Sequence, residues 1–249
     1  MRSNFLQLFL ITCCIIGLFS PKIYGQENDA SSLLIFTKTE GYRHQSIPAG
    51  TKEIEQIAAQ HNIKTVHTEN AAYFHPDTLA RFDAVVFLNT TGNTFNEQQE
   101  KALKQFMQAG GGFMGIHAAT DTEFNWPWFG KMVGAYFDSH PQIQKANITV
   151  TNKDHPSTSF LPDRWIRTDE WYNYKSISKE ITVLMNLEES SYEGGTNGEQ
   201  HPIAWYHEFQ GGKVFYTGGG HTKESYSDSL FRRHLWGGLQ YVLDHQTSK

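Results

Sequence analysis

The run Gly111-Gly112-Phe113-Met114-Gly115-Ile116-His117-Ala118-Ala119-Thr120-Asp121 sets a short apolar strand, rich in small residues, directly before a histidine. Small residues let a helix or a ligand approach a strand backbone closely. In parallel α/β sheets the chemistry gathers in loops just beyond the carboxyl ends of the strands. Upstream, Asn96 and Gln99 have the spacing of a capping box and predict a helix that runs to Gly110. Before it, Phe82 to Leu88, Ile63 to Thr68 and Ser32 to Thr37 read as strands, with Ile54, Ile57 and Ala58 at helical spacing between the last two. This strand-helix alternation predicts a parallel sheet covered on both faces.

Downstream the pattern is less regular. Ile148 to Thr151, Trp165 to Thr168, Ile181 to Leu187, Pro202 to Phe209 and Lys213 to Gly218 have strand composition, and Gln210-Gly211-Gly212 reads as a hairpin turn. A last helix is expected over Ser227 to Leu243, with Leu230, Phe231, His234, Leu235, Leu239 and Val242 on one face. No repeat or linker interrupts the chain after Ala30, so one domain over 26–249 is expected, its middle strands forming an added lobe or an extension of the sheet.

The first 25 residues read differently. Arg2 is followed by a mostly apolar run from Phe5 to Phe19 and then by Ile23-Tyr24-Gly25, the pattern of a secretory signal peptide. The run is shorter than the roughly 20 apolar residues of a membrane span. Both cysteines, Cys13 and Cys14, lie inside it, so the mature chain has no thiol for a disulfide or for nucleophilic catalysis. The protein is therefore expected in the periplasm or outside the cell, with no stable membrane span after cleavage. Removing residues 1–25 takes away Arg2 and Lys22 and no acid, so the formal charge of −5 becomes −7. Such an acidic chain has no broad cationic field to hold nucleic acid. Aromatic residues make up 14% of its 249 residues, and it has twelve histidines, a mixture suited to a hydroxyl-rich ligand.

Four strand-end loops point to one rim: Lys38 to His44, Asn89 to Gly92, His117 to Asp121 and Gly218 to Thr222. His117 is a titratable ring after a central strand. Asp121, four residues on, either caps the next helix or orients His117. His221 follows three glycines that allow close approach to a ligand. Glu170 stands beside Trp171, an apolar setting that can raise a carboxyl pKa. His44, Asn89, His140 and Trp171 are further binding candidates, with Trp126 and Trp128 as a wall for a sugar ring. His117, His140 and His221, with Asp121 or Glu170, are donors that a divalent metal accepts, but no HExxH pattern is present and spacing alone does not choose between a metal site and a metal-free one.

The segments Gly41-Tyr42-Arg43-His44, Gly111 to Asp121, Val133-Gly134-Ala135-Tyr136-Phe137 with His140-Pro141, Asp169-Glu170-Trp171-Tyr172, His201 to Trp205 and Gly220-His221-Thr222 resemble the ThuA-like family, named for trehalose utilisation. The resemblance runs from about Leu33 to Leu243 and implies a flavodoxin-like α/β sandwich related to class I glutamine amidotransferases. Those enzymes carry a nucleophilic cysteine on the turn where His117 stands here, so glutaminase chemistry is excluded. It also implies a small carbohydrate substrate, a disaccharide or 3-keto glycoside, and a functional link to a sugar dehydrogenase that makes the ketone. His117, Asp121, Glu170 and His221 would act as acids and bases in hydrolysis, elimination or isomerisation. The opposing expectation is a noncatalytic sugar-binding or assembly protein on the same scaffold. Gly110-Gly111-Gly112 precedes a strand rather than joining a strand to a helix, so no dinucleotide fingerprint is present.

N-terminal sequencing of the exported protein is expected to begin near Gln26; retention of Met1 would contradict the signal-peptide reading.

Overall fold

Residues 30–244 are described by a computed structural model; the segment 1–25, read from its pattern as a signal peptide, lies outside them. The first half alternates strands and helices. Strand β1 (Ser32–Phe36), helix α1 (Ile47–Gln60), β2 (Lys64–Thr68), the short α2 (Pro76–Leu79) and β3 (Ala84–Leu88) follow one another, then α3 (Glu97–Gln108), β4 (Gly112–Ile116) and α4 (Pro127–Val133). The capping box forms as its spacing predicts: Asn96 Oδ1 accepts from the Gln99 amide and Gln99 Oε1 from the Asn96 amide. Every residue of β3 and β4 is buried, as continuous apolar runs covered on both faces require.

The second half contributes β5 (Tyr136–Ser139), β6 (Gln144–Val150), β7 (Arg164–Asp169), β8 (Asn173–Lys175), β9 (Thr182–Leu187), β10 (His201–Phe209), β11 (Gly212–Thr217) and helix α5 (Ser229–Leu243). Nine strands form one sheet in the order β2-β1-β3-β4-β11-β10-β9-β6-β7. The first five are parallel, and from β10 outward each pairs antiparallel with its neighbour. The middle strands are thus an extension of the sheet rather than a separate lobe. β4 and β11, whose ends carry His117 and His221, lie side by side in its interior. In the β10–β11 hairpin only Gln210 and Gly211 form the turn, both at positive φ (51° and 100°), with Gly212 already paired to Phe209. The last helix starts at Ser229, where Asp228 caps it by accepting from the Phe231 amide.

Local pattern did not announce α4 or the small β5–β8 sheet. β5 and β8 are short, distant in the chain, and held by each other rather than by the main sheet. β7 shows how the extension serves the rim. Its strict alternation turns Trp165, Arg167 and Asp169 inward and leaves Ile166 exposed, so two charged groups face the core side.

Packing of α5 on β4 depends on Gly112. A Cβ there would lie 2.2 Å from the Val242 carbonyl oxygen and 3.0 Å from the Ala84 Cβ, leaving no room without backbone movement. Gly112→Ala is expected to lower the unfolding free energy by about 1–3 kcal/mol, read from urea denaturation. An unchanged midpoint would show that the contact is not tight.

Candidate functional site

The chain leaves β4 through a sharp turn at His117, whose φ of 48° is rare outside glycine. Strained backbone of this kind persists only where its surroundings hold it. The Tyr216 hydroxyl donates to the His117 carbonyl (2.7 Å), and the ring Nδ1 lies 2.9 Å from the Gly218 carbonyl oxygen. That oxygen can only accept, so Nδ1 carries the proton and Nε2 presents a lone pair. A backbone carbonyl, not Asp121, therefore sets the tautomer. Nε2 faces His221 Nδ1 at 3.2 Å and Glu170 Oε2 at 3.4 Å.

Glu170 and His221 come from opposite parts of the sheet, and Asp169 joins them. Its fully buried carboxylate accepts from the backbone amides of Gly220 (2.9 Å), His221 (3.1 Å) and Thr222 (3.3 Å) and from the Ser225 hydroxyl (2.8 Å). The Arg167 guanidinium approaches it at 3.5 Å and packs over the Phe231 ring. Gly220 adds a second clamp through its carbonyl, which accepts from Ser46, Asn89 and Tyr226. The loops after β1, β3 and β11 are thereby fixed to one another.

These clamps produce a centre of four side chains. His44, His117, His221 and Glu170 each offer one donor atom, all within 4.8 Å of one another. Glu170 Oε2 lies 2.9 Å from His221 Nδ1, and its other oxygen is held by His140 Nδ1 at 3.1 Å. The His44 ring stands edge-on to those of His117 and His221, at 5.0 Å from each, and its Nδ1 is buried without a hydrogen bond. Burial, followed by the neighbouring His117 and His221, pushes the His44 pKa far down and keeps its ring neutral. Burial alone would raise Glu170, but the neighbouring imidazoles of His117 and His221 outweigh it and hold the carboxyl well below the usual range.

Beside this centre opens a cavity of about 400 Å³, within the range of small-molecule sites. His44, Glu170, His221 and Asp121 line one part of it, and the rings of Tyr42, Phe137 and Tyr172 line the rest, with the more exposed His140 beside them. His117 is fully buried behind the lining, its ring 4.2 Å from that of Tyr172. Asp121 makes no contact that orients His117. Burial raises its pKa to about 6, against the opposing pull of His140 and Lys175.

Several expected positions change. Trp126 and Trp128 stack on each other at 4.7 Å, and Trp128 donates to Gln210, so they cover the core near the β10–β11 hairpin and form no wall of this cavity. Trp171 is wholly buried and donates to the Gln144 carbonyl, so it is not part of the cavity lining that Glu170 joins. Asn89 braces Ser46 and Gly220 from beneath. Of the proposed metal donors, His140 contacts Glu170 from outside, while His44 belongs to the centre. Sequence reasoning missed Tyr42, Phe137 and Tyr172 as the ring surfaces and Arg167 and Asp169 as the support. Only the proximity of Asp169 and Tyr172 to Glu170 in the chain pointed to them.

Comparison with known proteins agrees with this architecture. The family described as ThuA, trehalose utilisation, matches residues 32–242. A ThuA-like protein from Bacteroides uniformis ATCC 8492 superposes with a TM-score of 0.73 at 24% identity, covering 90% of this chain and 95% of its own. Another from Parabacteroides merdae ATCC 43184 gives 0.71 at 16% identity, covering 89% and 92%. A cytoplasmic protein of Salmonella typhimurium gives 0.62 at 12% identity, covering 84% and 98%. At such identities the likeness speaks for the fold. No curated protein matched.

Removing the buried carboxylate should loosen the rim as a unit. Asp169→Ala is expected to cost about 3–5 kcal/mol of stability in chemical denaturation, because it leaves the buried Arg167 charge without its carboxylate and the amides of Glu170, Gly220, His221 and Thr222 without their acceptor. A loss below about 1 kcal/mol would mean that the clamp does not hold the loops.

Proposed function

Because the chain belongs to the ThuA (trehalose utilisation) family, we propose that it is a carbohydrate-active enzyme that cleaves or isomerises a disaccharide or 3-keto glycoside by proton transfer. The observation that carries this reading is the pairing, across one ring-lined cavity, of an electron-pair-rich imidazole–carboxylate centre with an Asp121 carboxyl that burial keeps protonatable. Two groups with pKa values pushed apart are how a site divides acid from base work. The division reverses the sequence-based expectation for the carboxyls. Glu170 is the held carboxylate and Asp121 the candidate acid.

The chemistry suits a 3-keto sugar. A ketone at C3 acidifies the neighbouring C–H. A base at the centre removes that proton, the electrons form the enol system, and the glycosidic oxygen leaves with a proton from Asp121. His221 is the imidazole of the centre with an exposed edge in the cavity; His117, fully enclosed, acts as a positioning residue that holds His221 and Glu170. Tyr42, Phe137 and Tyr172 offer faces to the apolar side of a pyranose. The ketone would come from a separate sugar dehydrogenase, since this chain has no dinucleotide fingerprint. With residues 1–25 as an export signal, the reaction would take place in the periplasm or outside the cell.

A panel of native and 3-keto disaccharides is expected to show turnover by the mature protein, with His221→Gln losing about two to four orders of magnitude in rate while the fold is kept. Binding without turnover of any of them would favour the sugar-binding alternative. The acid makes a second, pH-dependent outcome. Asp121 must be protonated to act, so kcat/KM is expected to fall about tenfold per pH unit above about 6. Asp121→Asn should abolish that limb together with most of the rate. The same raised pKa means that protonation favours the folded form, a contribution fully present below the unfolded value of 3.8 and lost as pH rises through about 6. An unchanged limb in the Asn variant would exclude Asp121 as the acid.

A further inference from the structure

We infer that His44, His117, His221 and Glu170 bind one divalent transition-metal ion, of the class that zinc represents. The inference rests on the same cavity as the proposed reaction, but its evidence is the donor geometry and not the sugar.

Lone pairs decide it. His117 Nδ1 is committed to the Gly218 carbonyl, so the electron pair of its Nε2 points at Glu170 Oε2 and His221 Nδ1. Glu170 Oε2 is likewise an acceptor when ionised. One proton on His221 Nδ1 can serve His117 or Glu170, not both, and it reaches nothing on His44, whose buried Nδ1 has no hydrogen bond. A dication satisfies all the converging pairs at once. Its charge also compensates a buried carboxylate whose ionic contacts among the described residues are imidazoles: His117, His140 and His221.

The support around the donors has the form that metal-binding imidazoles require. A ligating histidine commonly donates its other ring N–H to a backbone carbonyl, which fixes the tautomer and ring plane, and His117 does this to Gly218. A ligating carboxylate is commonly supported by a further polar neighbour, and His140 Nδ1, bonded to the Pro141 carbonyl, stands 3.1 Å from Glu170 Oε1. Three imidazole nitrogens and one carboxylate oxygen match the borderline-soft first-row ions and disfavour magnesium or calcium, which prefer oxygen. His44, His221 and Glu170 also line the cavity, so a bound ion would reach a carbonyl or hydroxyl oxygen of a sugar, and with His221 among its ligands it would supply the proton acceptor there by lowering the pKa of a bound water.

The test uses the mature chain stripped with chelator and titrated with Zn²⁺, read by calorimetry, by metal content after desalting and by thermal unfolding. The expected result is one tightly held equivalent per chain and a metal-dependent rise in Tm. His44→Gln and Glu170→Gln should each weaken binding by at least about 10-fold. Their metal-free forms should retain the circular dichroism of metal-free wild type. His75→Gln, at an exposed site elsewhere, should bind as wild type does. No uptake of Zn²⁺, Mn²⁺ or Ni²⁺ by a folded wild-type chain, or uptake unchanged in both centre variants, overturns the inference. The two readings fail separately. Metal uptake with every sugar inert leaves the metal centre and removes the proposed reaction, whereas turnover by a metal-free chain that takes up no ion does the reverse.

Discussion

A single buried carboxylate organises the rim of this protein. Asp169 ends the edge strand of the antiparallel extension, yet it accepts hydrogen bonds from three consecutive amides that follow β11, in the parallel half. Without it Glu170 and His221 would belong to separate loops. With it they meet at 2.9 Å against a histidine held in a left-handed turn. Arg167, inward on the same strand face, compensates the charge. An unpaired carboxylate at that depth would cost several kcal/mol. The extension is therefore more than added sheet area: it carries one side of the centre to the other.

The same geometry sorts two carboxyl groups into different states. Glu170 is surrounded by imidazoles and stays ionised although burial works against it. Asp121 lines the same cavity with weaker compensation, from His140 and Lys175, so burial prevails and its pKa rises. Neither state is set by residue type. Both are set by the balance of burial against the charges and hydrogen bonds around each group. The histidines divide in a comparable way. His155, His207 and His234 are buried and bonded to Ser157 Oγ, the Met132 carbonyl and the Ser157 carbonyl, which ties loops and α4 to the sheet away from the centre.

Much of the fold is legible in the chain itself. The parallel strands, the Asn96–Gln99 cap and the β10–β11 hairpin come from local periodicity and turn chemistry. His117 stands out because a small-residue strand precedes it. Four of the first-choice residues, His117, Asp121, Glu170 and His221, lie in or against one cavity. The remainder depends on distant contacts. The strand-end pattern puts the loops of His44 and His117 on one rim, but not their rings within 5.0 Å of each other, which depends on how the loops fold over the sheet. Trp126 and Trp128 suggest a sugar wall by composition, but their rings cover the core, and the cavity uses Tyr42, Phe137 and Tyr172 instead. Arg167 and Asp169 are hidden in a strand pattern, where alternation says which side faces inward but not that charges there would be paired.

The central claim is that chemistry on a carbohydrate takes place where Asp169 brings Glu170 and His221 against His117. A crystal structure of the mature protein with a non-cleavable 3-keto disaccharide analogue tests it most directly. The account places the sugar between Tyr42, Phe137 and Tyr172, its reacting carbons facing His221 and its glycosidic oxygen toward Asp121. A sugar seated elsewhere, such as the cavity of about 500 Å³ bordered by Pro127, Tyr136, Lys179 and Phe209, with the histidine centre untouched, would contradict it.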